Sequence, residues 1–115
     1  MKEFLMIFRN DFKSAPSASP EQMQAIMKSW MDWIGNIAAQ NKLVNAGNSL
    51  HGGGKIVKPG NVITDGPYVE IKEAVGGYTI VKAASLEEAT ALADGCPILA
   101  SGGNVEVREL VIMDM

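Results

Sequence analysis

A chain of 115 residues with 47% hydrophobic and 20% charged residues has the make-up of one folded domain, 1–115, able to bury a core without disulfide or metal staples. Its formal net charge of −3, with no local Lys/Arg cluster, gives no cationic field for a phosphate backbone and argues against direct nucleic-acid binding. A single cysteine, Cys96, excludes an intrachain disulfide and a cysteine-rich zinc site and points to a reducing cytoplasm, while no apolar run reaches membrane-spanning length.

In chain order, Phe4 to Phe8 is a continuous apolar run, expected to form a central strand buried on both faces. The polar stretch from Asn10 to Ser19 reads as a loop. Ser19 then stands as an N-cap, Pro20 at the first helical position and Gln22 three residues after the cap, which together mark a helix start. Met23, Ile26, Met27, Trp30, Ile34, Ile37 and Ala38 recur at helical spacing and predict one wide face buried against a sheet. Leu43 to Leu50 reads as a second strand. Lys55-Ile-Val-Lys58, Pro59-Gly60 and Asn61-Val-Ile-Thr64 read as a short hairpin.

Tyr78 to Lys82 predicts a further strand. Ser85 and Glu88 form a second capping signature, with Ala89, Leu92 and Ala93 on one helical face and a stop near Gly95. A turn at Ser101-Gly-Gly103 leads to a last strand over Val105 to Met113. The order strand, helix, strand, hairpin, strand, helix, strand predicts an α+β fold: a ferredoxin-like split βαβ sandwich with a β-hairpin insertion. Two helices cover one sheet face only, so the other face is expected to meet a second copy.

The densest polar chemistry lies in Val62 to Gly77. Asp65-Gly66-Pro67 predicts a sharp change of direction, since glycine tolerates positive φ and proline fixes its own. Asp65 at such a turn could act as a general base or cap the turn through backbone N–H groups. Glu70 and Lys72 alternate onto one face of an extended segment, as a solvated pair or as part of a cleft. Tyr68 could donate to a ligand or anchor packing. His51, beside three glycines, is the side chain whose ordinary pKa lies near neutrality and is the natural acid/base candidate, with a mobile exposed histidine as the plain reading.

Arg108 can hold a carboxylate bidentately or pair with Glu106 on its own strand face. Cys96 reads as a buried structural thiol whose pKa a helix C-terminus would raise. The tryptophans and methionines at helical spacing read as core. No ligand spacing implies a metal, and no glycine run has the strand and helix context of a nucleotide loop, so no cofactor is expected.

Asp65-Gly-Pro-Tyr-Val-Glu-Ile-Lys-Glu73, followed by Gly76-Gly-Tyr78, resembles the signature of the DGPF branch of the YCII-related proteins, with Tyr68 where phenylalanine is usual. Ser85-Leu-Glu-Glu-Ala89, Cys96-Pro97 and Val105-Glu-Val-Arg108 extend the resemblance over nearly the whole chain. It implies a homodimeric α/β barrel in which two sheets meet face to face and leave clefts. It also implies an association of some members with extracytoplasmic-function sigma factors. The His–Asp pair suggested for the broader YCII group is not matched: Gln22 and Met23 occupy the first-helix region, and Cys96 precedes Pro97.

The residues and the resemblance together predict a cytoplasmic homodimer binding a small polar molecule in a dimer-associated cleft and acting on it in some cases through His51 or Asp65. Tyr68, Glu70, Lys72 and Arg108 are the ligand-binding candidates, with Gly66, Pro67, Gly76 and Gly77 shaping the motif. The alternative is a regulatory or protein-interaction module that binds a protein regulator such as a sigma factor.

Overall fold

The structure, a computed structural model, describes residues 1–10, 19–66 and 74–113. Strand β1 (Lys2–Asn10) lies in the middle of a four-stranded sheet, between β5 (Ala74–Ala83) and β6 (Asn104–Glu109), with β2 (Leu43–Ser49) outside β5. All three pairings are antiparallel. The order β2-β5-β1-β6 is that of the ferredoxin-like split βαβ arrangement. The fold is therefore mixed α+β with antiparallel sheets, as the element order predicted.

Alternation along β1 sets the two faces. Phe4, Met6 and Phe8 are buried with Val81, Ala83, Trp33, Ile37 and Ala89. Leu5 and Ile7 point the other way and are half-buried, so β1 is buried on one face rather than both. Helix α1 (Pro20–Ala39) and helix α2 (Leu86–Leu92) both supply the buried face, and no described element covers the opposite one.

Helix α1 begins where expected. Ser19 Oγ accepts from the Gln22 N–H at 3.1 Å, and the Ser19 N–H donates to Gln22 Oε1 at 2.8 Å, closing a reciprocal capping box. It ends with Asn41 at φ 60° and the Lys42 N–H bonded to Ile37 O at 3.2 Å, a Schellman closure. The predicted burial of its apolar face holds only in the second half. Trp33 and Ile37 are buried and Trp30 and Ile34 partly so, whereas Met23, Ile26, Met27 and Ala38 are exposed. The first half of the helix stands clear of the sheet.

Strands β3 (Gly54–Lys58) and β4 (Val62–Gly66) form a separate two-stranded arm with its tip at Pro59–Asn61. The pairing of Gly54 with Gly66 forms its base. β4 runs through Asp65 and Gly66, so the predicted change of direction does not fall before Gly66; Pro67 lies outside the described residues.

A short helix α3 (Pro97–Ala100), absent from the expected element order, follows Cys96 and precedes the turn at Ser101, since proline suits a first helical position. One further expectation is corrected. The last strand stops at Glu109, not Met113: its register with β1 ends at Phe4–Glu109, the Leu110 N–H makes a last bond to Glu3 O at 2.9 Å, and the chain then leaves β1, which itself continues to Lys2 beside β5.

Candidate functional site

Because α1 lifts away from the sheet, a groove of about 620 Å³ opens between its middle turns and the facing ends of β2 and β5. That is the size of a small-molecule site. Met27, Trp30, Met31 and Ile34 line it from the helix, Phe8 and Ile98 from behind, and residues 46–49 and 76–79 from the strands. Phe8 and Trp30 meet edge to face at 5.0 Å, and Trp33 supports both from beneath at 5.8 Å. The Trp33 Nε1–H donates to Leu92 O at 3.1 Å, which fixes the ring and ties α1 to α2.

The strand wall is shaped by irregular pairing. β2 changes register twice against β5, between Leu43 and Asn45 and between Asn45 and Asn48. Gly47 sits at φ 76° in the left-handed region, and a Cβ there would collide with the Tyr78 carbonyl. The freed polar groups are satisfied locally. Asn45 Oδ1 accepts from the Gly47 N–H at 2.8 Å, and Thr79, 1% exposed, donates its hydroxyl to Ala46 O at 3.0 Å. At Gly77 a Cβ would lie 2.8 Å from Asn48 O, so the second glycine of Gly76-Gly77 permits β2 and β5 to close at the groove. Both glycines line it.

His51 stands at the rim. The Leu50 N–H bonds to Gly76 O at 2.8 Å, and His51 is the next residue. It is two residues beyond Ser49, a span of at most about 7 Å between Cα atoms. Its Nδ1 accepts from the Gly53 N–H at 2.9 Å, which leaves Nε2 as the nitrogen facing outward chemistry; the ring is exposed. Asp65 lies at the base of the arm, where its carboxylate pairs with Lys55 from the opposite strand. Its side chain is 88% exposed; the residues after Gly66 that a turn cap would engage lie outside the described residues.

Arg108 belongs to the other side of the sheet. It pairs with Leu5 and Glu106 with Ile7, both on the face away from the helices. Glu106 bridges Arg9 at 3.2 Å and Arg108 at 3.8 Å. Thus His51, Asp65 and Arg108 occupy a groove rim, an arm base and the open sheet face, and none of the three lines the groove. Tyr68, Glu70 and Lys72 lie outside the described residues.

Cys96 is 2% exposed and free, and burial pushes its thiol up to about 11. Burial, not a helix C-terminus, is the cause, since Cys96 occupies the N-cap position of α3. A smaller hollow of about 260 Å³ lies behind Trp33, beside the Lys42–Glu88 ion pair at 2.7 Å. That lysine holds the Glu88 carboxyl below its ordinary value, chiefly through their hydrogen bond. Among the described residues, no three His, Cys, Asp or Glu side chains converge on a point where a metal ion could sit.

Sequence reasoning put the tryptophans and methionines of α1 in the core and did not foresee the groove. The visible signal was Asn45-Ala-Gly47-Asn48, a polar and glycine break inside an otherwise apolar strand.

Compared with known protein families, the chain matches the YCII-related domain over residues 3–114. A search of curated proteins finds no match.

Proposed function

The chain belongs to the YCII-related family, and on that premise we propose that it is a DGPF-type homodimer that binds a small molecule in the groove between α1 and the β2–β5 edge. The observation that carries this reading is the composition of the groove. Its helix wall is Met27, Trp30, Met31 and Ile34, with polar strand groups along the opposite wall. The expected small polar ligand narrows to one with a flat apolar body and a polar end: the body lies against Trp30 and the methionines, and the polar end faces the rim.

His51 is the acid/base candidate at that rim. Asp65, paired with Lys55, stays at the base of the arm. Arg108 serves a different place: on the open face it would orient an anionic group in the cleft between two copies. The half-buried apolar residues Leu5, Ile7 and Ile80 on that face support pairing of two sheets. A lone, free, buried thiol supports a reducing, cytoplasmic setting.

A screen of small aromatic acids and phenols against the purified protein, followed by tryptophan emission, tests the reading. Saturable quenching is expected. Met31→Arg places a charge in the groove at a side chain that is already 70% exposed, so it leaves the fold intact and weakens binding at least tenfold. Binding that is unchanged in Met31→Arg overturns the groove assignment. Saturable capture of a purified sigma factor, with no compound bound in the screen, overturns it in favour of a regulatory module.

A further inference from the structure

The chain forms a thin slab of 48 × 43 × 18 Å with a radius of gyration of 15.8 Å, against about 13 Å for a compact chain of this length. Two apolar features stand at its margins. On the arm, Val57 faces Ile63 across the strands, and the two are 72% and 63% exposed. After β6, Val111, Ile112 and Met113 are 82%, 90% and 74% exposed.

The strand ladders fix where these features are. The arm leaves the sheet on the β2 edge, at the end where Ser49 pairs with Gly77 and Gly77 with Phe8. The tail leaves on the β6 edge, at the opposite end, where Leu110 bonds to Glu3. Arm and tail therefore occupy diagonally opposite corners of the sheet. A two-fold axis lying in the plane between two facing sheets, along the other diagonal, turns each corner onto its opposite.

We propose that in the homodimer the arm of each copy seats Val57 and Ile63 on Val111 and Ile112 of the other, a clasp made twice. The inference rests on the reading of the open face as the dimer interface. Area makes the clasp necessary. Four strands about 4.8 Å apart and about 20 Å long offer roughly 400 Å² of sheet face, half of the roughly 800 Å² per partner of a stable interface. An arm about 16 Å long and a tail about 13 Å long, each about 10 Å across, supply most of the remainder. The same axis crosses the two sheets steeply, as in orthogonal sheet packing.

Two singly substituted proteins, Val57→Cys and Ile112→Cys, are mixed, allowed to exchange and oxidised mildly; Cys96 stays in place because it is buried. The clasp predicts a disulfide-linked pair from the mixture and none from either protein alone. Separately, Ile112→Asp is expected to raise the dimer dissociation constant at least tenfold without altering the circular dichroism of the fold. Light scattering that finds the unaltered protein monomeric overturns the dimer reading and the clasp with it. A dimer that forms no mixed disulfide, or whose dissociation constant is unmoved by Ile112→Asp, overturns the clasp and leaves the open-face dimer standing.

Discussion

Replacing Trp33 tests the inner support of the groove. The side chain is 7% exposed, touches the rings of Phe8 and Trp30 edge to face, and donates to Leu92 O at 3.1 Å. Trp33→Ala removes the ring and leaves a cavity, at a cost of about 3–5 kcal/mol. Trp33→Phe keeps an aromatic contact but strips the donor from a partly buried carbonyl and leaves a smaller void, about 1–3 kcal/mol. A domain of this size is stable by roughly 6–17 kcal/mol, so both variants fold. Urea unfolding followed by far-ultraviolet circular dichroism separates them, with equal slopes against denaturant expected for all three proteins. Because Trp33 props the two rings that line the groove, Trp33→Ala is expected to weaken a groove ligand more than Trp33→Phe does. A Trp33→Ala loss below about 1 kcal/mol, the range of ordinary surface substitutions, would refute the reasoning.

Three further outcomes follow from the same geometry. Glu88 is held below its ordinary carboxyl value of 4.5 by Lys42, so its contribution is complete above that value and fades as pH falls through the lowered one; thermal melts from pH 6 downward should show this loss, and Glu88→Gln should flatten it. Cys96, with its thiol near 11, has about one molecule in a thousand ionised at pH 8 and is buried, so maleimide labelling of the native protein should proceed only as fast as unfolding exposes it. Asp65→Asn breaks an exposed pair and should change stability by no more than about 1 kcal/mol, whereas Gly66→Ala brings a Cβ to 2.7 Å from Ile56 Cγ1 and should displace the arm, read as a weaker dimer with little change in melting of the main sheet.

Features written in neighbouring residues were legible in the sequence. The Ser19–Gln22 box and the Ser85 cap form where the spacing placed them, because a cap needs only residues within one turn. The split βαβ order was legible for a similar reason: each half follows strand, helix, strand. What was not legible depends on where distant partners end. The apolar run Leu110 to Met113 has strand character, yet it leaves β1 after the Leu110–Glu3 bond while β1 runs on to Lys2 beside β5. Met23 and Ile26 share the helical period of Ile37, but the period does not show that only the second half of α1 reaches the sheet. The groove is the product of that overhang and of the register shifts in β2, so its lining residues read as core. His51, Asp65 and Arg108 were legible as chemistry, and their separation onto rim, arm and open face was not.

The separation bears on what the Asp65-Gly66 segment contributes. The Asp65 carboxylate is 88% exposed and paired with Lys55. Its position has more mechanical consequence. Asp65 and Gly66 close the base of the arm opposite Lys55 and Gly54, and Gly66 leaves the room that Ile56 fills. From that base the chain passes to Gly76-Gly77, where the absence of a Cβ lets β5 close on β2 along the groove. Gly66 thus belongs to the base of the arm, and Gly77 to the crossing of β5 and β2 beside the groove. Composition there answers to geometry first: a glycine at each crossing, and a charged pair that keeps the base of an otherwise apolar arm in water.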